Sequence, residues 1–189
     1  PLRLVGSEMC IRDRNSRTRA IRKKLTAMKN LFLIRHAKSS WDNSQIQDHE
    51  RTLNARGLQD APNMGKTLKS LYASPEKIIS STACRAKETI ALIKAQWCPL
   101  QIVEYDKLLY EGSASTILDK IQKFPSEITS AALVFHNPTI THLANLLGPS
   151  SISSIPTCGV VILSSKTDKW NFLEVGSCAI ENFEYPKKN

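Results

Sequence analysis

The sequence lacks the cysteine pattern of a disulfide-bonded or zinc-binding domain. Its five cysteines are odd in number, lie far apart along the 189 residues and include no Cys-x-x-Cys pair, so neither class is expected. His136 and His142 are too far apart for two ligands on one helical face, and no metal or other cofactor is predicted. We expect free cysteines that pack as small apolar residues in a reducing cytoplasm.

Long apolar runs are missing as well. No run approaches the roughly 20 residues that span a bilayer, and the first 30 residues contain no continuous apolar stretch of a secretory signal. The sequence therefore predicts neither membrane insertion nor secretion. What it contains, 41% hydrophobic and 23% charged residues, is typical of one soluble globular domain.

Acidic residues are scarce only near the start of the chain. Residues 1–30 hold nine lysines and arginines against two acidic residues, whereas residues 31–189 hold 17 basic and 15 acidic residues. Most of the formal charge of +9 therefore belongs to the first segment, and the rest gives little reason to expect nucleic acid as a partner. We predict a non-native or disordered basic leader at 1–27 and a single domain at 28–189; a transit peptide or a nucleic-acid-binding arm are the alternatives.

From residue 31 onward, short β-type runs alternate with longer amphipathic segments. This alternation indicates βαβ units and an α/β fold with a parallel or mixed sheet. Pro62 lies inside the first helical pattern and predicts a kink or a break there. The predicted strands are 31–35, 78–81, 101–104, 131–135, 159–163, 171–175 and 180–183, and the predicted helices are 54–71, 85–95, 115–123 and 139–147.

Three of these strands are each followed within a few residues by side chains suited to phosphate. Arg35 and His36 end the first run, Arg85 follows the second and His136 follows the fourth. If the three runs are parallel neighbours, their carboxyl ends meet at one crevice, because ligands in open α/β sheets bind at that edge. The sequence therefore predicts one site built from distant segments.

The chemistry of these residues favours attack on phosphorus. Nearby positive charge disfavours imidazolium, so arginines around His36 would keep its ring nitrogen available as a nucleophile. Guanidinium groups bind phosphate oxygens in pairs and stabilise the charge of the transition state. Arg35, Arg51 and Arg85 could do this without a metal.

Four motifs carry a resemblance to a known family, which covers about residues 29–186. They resemble, in order, those of the histidine phosphatase superfamily and, within it, the small SixA-type phosphohistidine phosphatases. The resemblance implies a phosphoglycerate mutase-like three-layer αβα sandwich with a mostly parallel central sheet, and metal-independent chemistry without a cofactor. The motifs are Arg35-His36-Ala37-Lys38-Ser39-Ser40-Trp41, Arg51-Thr52-Leu53-Asn54-Ala55-Arg56-Gly57, Ser80-Ser81-Thr82-Ala83-Cys84-Arg85-Ala86-Lys87-Glu88-Thr89 and Phe135-His136-Asn137-Pro138.

The resemblance also implies roles for individual residues. His36 would be the nucleophile that is transiently phosphorylated, and Arg51 would contact the phosphoryl group from the loop after the first strand. The remaining catalytic candidates, which would line the phosphate pocket, are Arg35, Arg85 and His136, and the further substrate-binding candidates are Lys38 and Asn137.

A general acid is the least clearly marked part of the site. Glu111 is the one candidate near the right place, and an exposed loop carboxylate is its structural alternative. Hydrolysis of phosphohistidine depends less on a general acid than hydrolysis of a phosphoester, because a protonated imidazole is a good leaving group. We therefore predict a cytoplasmic phosphatase acting on phosphohistidine of a protein. A phosphomonoesterase for small molecules with Glu111 as acid, and a non-catalytic basic module that binds phosphate or nucleic acid, are the alternatives.

Overall fold

The computed structural model describes residues 28–42, 45–149 and 151–186, and the predicted leader at 1–27 lies outside these ranges. Short 3-10 helices occur at Asp48–Glu50 and Trp170–Phe172. The other elements are β1 (Asn30–Arg35), α1 (Ala55–Leu71), β2 (Lys77–Ser81), α2 (Cys84–Trp97), β3 (Val103–Asp106), α3 (Leu108–Glu111), α4 (Ala114–Gln122), β4 (Ser130–Phe135), α5 (Thr139–Leu147), β5 (Val160–Ser165) and β6 (Cys178–Glu184).

The strands form one six-stranded sheet in the order β3-β2-β4-β1-β5-β6. The neighbours β3, β2, β4 and β1 are mutually parallel, and β5 runs antiparallel to both β1 and β6. Arg35 of β1 pairs with Phe135 of β4, so both strands end at the same level of the sheet. The prediction of a mostly parallel central sheet is confirmed.

Alternate residues of each central strand supply two separate cores. On one face, Leu33 and Leu133 pack with residues of α4 and α5, including Ile117 and Leu143. On the other face, the strand residues that alternate with Leu33 and Leu133 pack with residues of α1 and α2 in a second cluster. Burial of both faces is the arrangement expected of a parallel sheet, and it gives the predicted αβα layers.

Pro62 was predicted to cause a kink or a break, and the break does not occur, because helix α1 continues through this residue. The proline has no N–H to donate, but Ala61, Met64 and Leu68 on the same helix are buried against the sheet and α2. Tertiary packing of this apolar face outweighs the local cost of the proline.

The predicted strand at 171–175 is wrong. Residues 170–172 form a 3-10 helix, because the Trp170 indole N–H donates to the Ile128 carbonyl at 2.7 Å and its ring packs edge-on against Phe124. The buried Trp170 therefore packs this segment against one face of the sheet, where it does not pair as an additional strand. The third strand also begins two residues later than predicted, and the short helix α3 was not predicted.

Two features outside the site bear on the expectations from composition. In the described part of the chain, Cys84, Cys98, Cys158 and Cys178 are free, and the last three are buried. Among the described helices, none has the length and apolar character needed to cross a membrane.

Candidate active site

His36 and His136 are the first residues after the neighbouring strands β1 and β4, and their rings lie 4.9 Å apart. Arg85 stands in the first turn of α2, directly after β2, which pairs with β4 on its other side. The predicted convergence of these three strand ends is therefore present. The sheet itself brings together residues that are a hundred positions apart in the chain.

The His36 ring is buried and fixed in one tautomer. Its Nδ1 lies 2.7 Å from the carbonyl oxygen of Ala37, and because a carbonyl only accepts, Nδ1 carries the hydrogen. The lone pair is then on Nε2. Burial lowers the pKa of His36 to about 3, in spite of the bond to Ala37, and the positive charges of Arg85, Arg35 and Arg51 add to the decrease. The ring is thus neutral at physiological pH.

His136 is buried beside it and is also neutral. Burial, then the nearby His36 and Arg85, lower its pKa to about 2, while Asp48 acts in the opposite direction. Its Nε2 lies 2.8 Å from the Ser81 hydroxyl, which accepts a bond from the Ala83 N–H at 3.3 Å. The direction of this bond depends on the tautomer of His136: with the Ser81 hydroxyl as donor to Nε2, the ring hydrogen lies on Nδ1. Among the described residues this buried Nδ1 has no partner, so it is the ring nitrogen open to a bound ligand.

Arg35 is held by the loop before β5. Its Nη1 donates to the Ile155 carbonyl at 2.6 Å, whereas its buried Nε–H finds no partner within the described ranges. Burial lowers the pKa of this guanidinium from its ordinary value. An unpaired donor next to a neutral histidine suits an anionic oxygen.

Arg51 reaches the site from the loop between β1 and α1. Its Nε donates to the Ser40 carbonyl at 3.0 Å, and its Nη2 donates to the Ser39 hydroxyl. Trp41, which is 71% exposed, lies over the guanidinium: its ring centroid is 3.3 Å from the central carbon of the Arg51 guanidinium. Arg51 is therefore fixed in direction although it belongs to a loop.

Backbone contacts explain why this loop has a defined course. The Ala37 N–H donates to the Thr89 hydroxyl and the Leu53 N–H donates to the Glu88 carboxylate, both on α2. Gly57 in the first turn of α1 approaches the Lys38 carbonyl so closely that a Cβ would lie 2.2 Å from its oxygen. The glycine of the second motif is thus required by close packing.

Asp48 joins the two distant arginines, and the sequence analysis did not identify it. Its Oδ1 accepts from Arg51 Nη1 at 2.8 Å, and its Oδ2 accepts from Arg85 Nη2 at 2.8 Å and from the Tyr110 hydroxyl at 2.9 Å. Arg85 Nη1 also donates to the Asp48 carbonyl. Burial is the largest single effect on the pKa of this carboxyl and raises it, but the bonds from Tyr110 and Arg85 and the charges of both arginines together lower it below its ordinary value.

An aromatic pair forms the rim beside these residues and was also missed. Tyr110 meets His136 edge-on at 5.5 Å and His49 at 4.8 Å, and His49 Nε2 lies 2.9 Å from the Thr82 hydroxyl. For Asp48, the only local signal in the sequence was its spacing of three residues from Arg51, which suits an ion pair on one helical turn. Nothing local pointed to Tyr110.

Three predicted site residues occupy other surroundings. The Glu111 carboxylate, 57% exposed, pairs with Lys107 at 3.0 Å, and its neighbour Tyr110 contacts the histidines instead. The Asn137 amide donates to Ser154 and Ile155 and holds their loop. Lys38 is exposed. The roles predicted for these three residues, general acid for Glu111 and substrate binding for Asn137 and Lys38, stay predictions.

The assembled site suits an anion with several oxygens. It combines a neutral nucleophile, an unpartnered ring nitrogen on the second histidine and three guanidinium groups. Within the described residues, no group of three or more His, Cys, Asp and Glu side chains is arranged to hold a metal ion.

Comparisons with known proteins agree with this geometry. The model of the histidine phosphatase superfamily (branch 1) matches residues 31–115. An uncharacterized protein of Mycobacterium leprae is 31% identical and covers 82% of this chain and its own whole length. The SixA protein of Agrobacterium tumefaciens is 26% identical with a TM-score of 0.71, covering 84% of this chain and 98% of that one. The protein histidine phosphatase SixA complexed with tungstate is 19% identical, with a TM-score of 0.72, covering 83% of this chain and 97% of that one.

Fold and family match together define the class of protein. The chain belongs to the histidine phosphatase superfamily, in its SixA-type branch.

Proposed function

We propose that this protein removes the phosphoryl group from phosphohistidine on a partner protein through a phosphohistidine intermediate of its own. The observation that carries the proposal is the state of His36: a buried, neutral ring with its lone pair on Nε2 and with the charges of three arginines acting on it. Membership of the histidine phosphatase superfamily supports the phosphatase class, and the neighbour solved with tungstate bears the name protein histidine phosphatase.

The reaction has two steps. His36 Nε2 forms a bond to phosphorus while the bond from phosphorus to the substrate's imidazole nitrogen breaks. The substrate's imidazole, which is protonated on its other nitrogen, leaves as a neutral ring. Water then attacks phosphorus and the bond to His36 breaks; the phosphate leaves as H2PO4−, which carries the oxygen and both hydrogens of the water, and the His36 ring returns to its neutral form. We place the hydrogen of His136 on its unpartnered Nδ1, so that in both steps this N–H and the arginines hold the three phosphoryl oxygens and offset their charge.

The surroundings of Glu111 favour cleavage of a P–N bond over a P–O bond. An alkoxide leaving group needs a positioned acid. The carboxylate of Glu111 is engaged with Lys107 at the surface, whereas the carboxylate at the pocket, Asp48, is held ionised by two arginines. Imidazole leaves without such help. A phosphomonoesterase with Glu111 as acid would first have to break the pair with Lys107.

A non-catalytic basic module remains the second alternative. It would need the phosphate pocket to bind without turnover and residues 1–27 to contact nucleic acid. The His36 ring, which is neutral and fixed in the tautomer of a nucleophile, argues against a pocket that binds phosphate without turnover. We further propose that the domain spans 28–189, that it works in the cytoplasm, where its free buried thiols stay reduced, and that no membrane or nucleic acid takes part.

One assay separates these functions. The chain is incubated with a phosphohistidine protein and with an aryl phosphate, beside His36→Ala and Glu111→Gln. We expect turnover of phosphohistidine that His36→Ala abolishes and Glu111→Gln leaves unchanged. Activity that survives His36→Ala would refute the mechanism. Turnover of the ester alone, lost in Glu111→Gln, would establish the phosphomonoesterase, and phosphate binding without any turnover would establish the binding module.

A further inference from the structure

We infer that Asp48 is a positioning residue that fixes Arg51 and Arg85 for the phosphoryl group. This inference deepens the proposed function and rests on it. Arg51 belongs to the loop between β1 and α1 and Arg85 to the first turn of α2, and the bonds that tie this loop to α2, at Thr89 and Glu88, involve neither guanidinium. The Asp48 carboxylate is the one group bonded to both among the residues described here.

The bonds of Asp48 fix the plane of each guanidinium. Arg85 gives two of its five N–H groups to Asp48, one to the carbonyl and one to the carboxylate. Arg51 gives one to the carboxylate and two to Ser39 and Ser40. A planar guanidinium group that is hydrogen-bonded at two or more points cannot rotate. Its remaining N–H groups then have a fixed orientation for oxyanion binding.

Burial explains why a carboxylate is needed between them. The side chains of Arg51 and Arg85 are 9% and 7% exposed, whereas that of Asp48 is 50% exposed and covers the pair from the solvent side. Two buried like charges repel each other, and the charge of Asp48 offsets this repulsion. The same carboxylate accepts from Tyr110, whose ring contacts His136, so Asp48 links both halves of the site.

A pure charge role would have the opposite effect on binding. If Asp48 only neutralised positive charge, its removal would leave a more positive pocket and tighter binding of phosphate. If it positions the arginines, its removal leaves them mobile and weakens binding in spite of the added positive charge. The sign of the change therefore distinguishes the two roles.

The test uses Asp48→Asn in the full chain, with inorganic phosphate as the probe. Calorimetry gives the dissociation constant, and the phosphohistidine assay gives kcat and KM. We expect phosphate affinity to fall about 10-fold and kcat to fall about 10- to 100-fold, as for loss of hydrogen bonds between charged groups. Asp48→Glu, which keeps the charge, should restore part of both. Asp60→Asn removes another Asp–Arg pair, with Arg56 on α1, and should change neither.

Phosphate binding that is unchanged or tighter in Asp48→Asn would overturn the inference. Because binding is measured without turnover, this outcome is separate from failure of the proposed function, in which the unsubstituted chain hydrolyses no phosphohistidine. If thermal unfolding shows that Asp48→Asn does not fold, Tyr110→Phe removes one bond to the same carboxylate. It should weaken phosphate about 2- to 5-fold, and no change in that variant would equally overturn the inference.

Discussion

His36 and His136 face each other because Arg35 and Phe135, the residues before them, are paired in register on parallel strands. Each histidine lies one step beyond the last pair, where the chain leaves the sheet. A shift of one residue between β1 and β4 would turn one ring to the other face. The phosphate site is thus a property of strand register, and the apolar residues that fix the register also fix the distance between the histidines.

Ser81→Ala should change the tautomer of His136. In the assignment that we propose, the Ser81 hydroxyl donates to Nε2 and keeps the hydrogen on Nδ1, so its removal frees the ring to take either form. Long-range nitrogen–proton NMR should find the Nδ1–H tautomer in the unsubstituted protein and a mixture in the variant, with phosphate bound about 3- to 10-fold more weakly. Ser80→Ala, which removes the adjacent buried hydroxyl, is the matched control. An Nε2–H tautomer in the unsubstituted protein would contradict this assignment.

The stability of the fold should decrease as the pH falls below 6.5. The folded pKa values of His36 and His136, about 3 and about 2, lie below the ordinary value of 6.5, so the unfolded chain binds more protons in this window. The free energy of unfolding then falls with decreasing pH, by up to about 1.4 kcal/mol per pH unit for each histidine. The decrease continues until the folded pKa is reached.

Urea denaturation at pH 7 and pH 5 measures this effect. His36→Asn should flatten the dependence because it removes one of the two buried rings. His142→Asn, which removes an exposed histidine on α5, should keep the original slope. The prediction fails if His36→Asn and the unsubstituted protein lose equal stability between the two pH values. The carboxyls of Asp48 and Asp106, whose pKa values are lowered from 3.8, ionise below this window.

Gly57→Ala should displace the loop that carries Arg51. The new methyl group would lie 2.2 Å from the Lys38 carbonyl oxygen, and since that oxygen is backbone, the loop must move. We expect a loss of about 1–3 kcal/mol in the free energy of unfolding together with weaker phosphate binding. Gln59→Ala, at an exposed position of the same helix, should alter neither. Retention of full phosphate affinity in Gly57→Ala would show that the close contact does not position Arg51.

The sequence predicted best what depends on local pattern. Apolar runs predicted β1, β2 and β4, and the rule that ligands bind at the carboxyl ends of parallel strands predicted that His36, Arg85 and His136 lie together. The bounds of α5 agree with its pattern because Gly148 and Pro149 end it.

The sequence did not predict what depends on contacts between distant residues. Asp48 bonds to Arg85 and Tyr110, which are 37 and 62 positions away, and neither bond leaves a mark in the local pattern. The segment 171–175 has strand-like composition, yet the buried Trp170 beneath the sheet holds it as a turn. Glu111 was singled out by its position in the motif order, but one helical turn directs Tyr110 to the histidines instead.

Trapping of the phosphoenzyme tests the central claim most directly. The full chain is mixed with a radiolabelled phosphohistidine protein, quenched within milliseconds at alkaline pH, digested and analysed by mass spectrometry. The account predicts one phosphoryl group on the peptide that contains His36, attached at Nε2, and none on His36→Ala. Steady release of phosphate with no label on the enzyme, or label on any other residue, would contradict it.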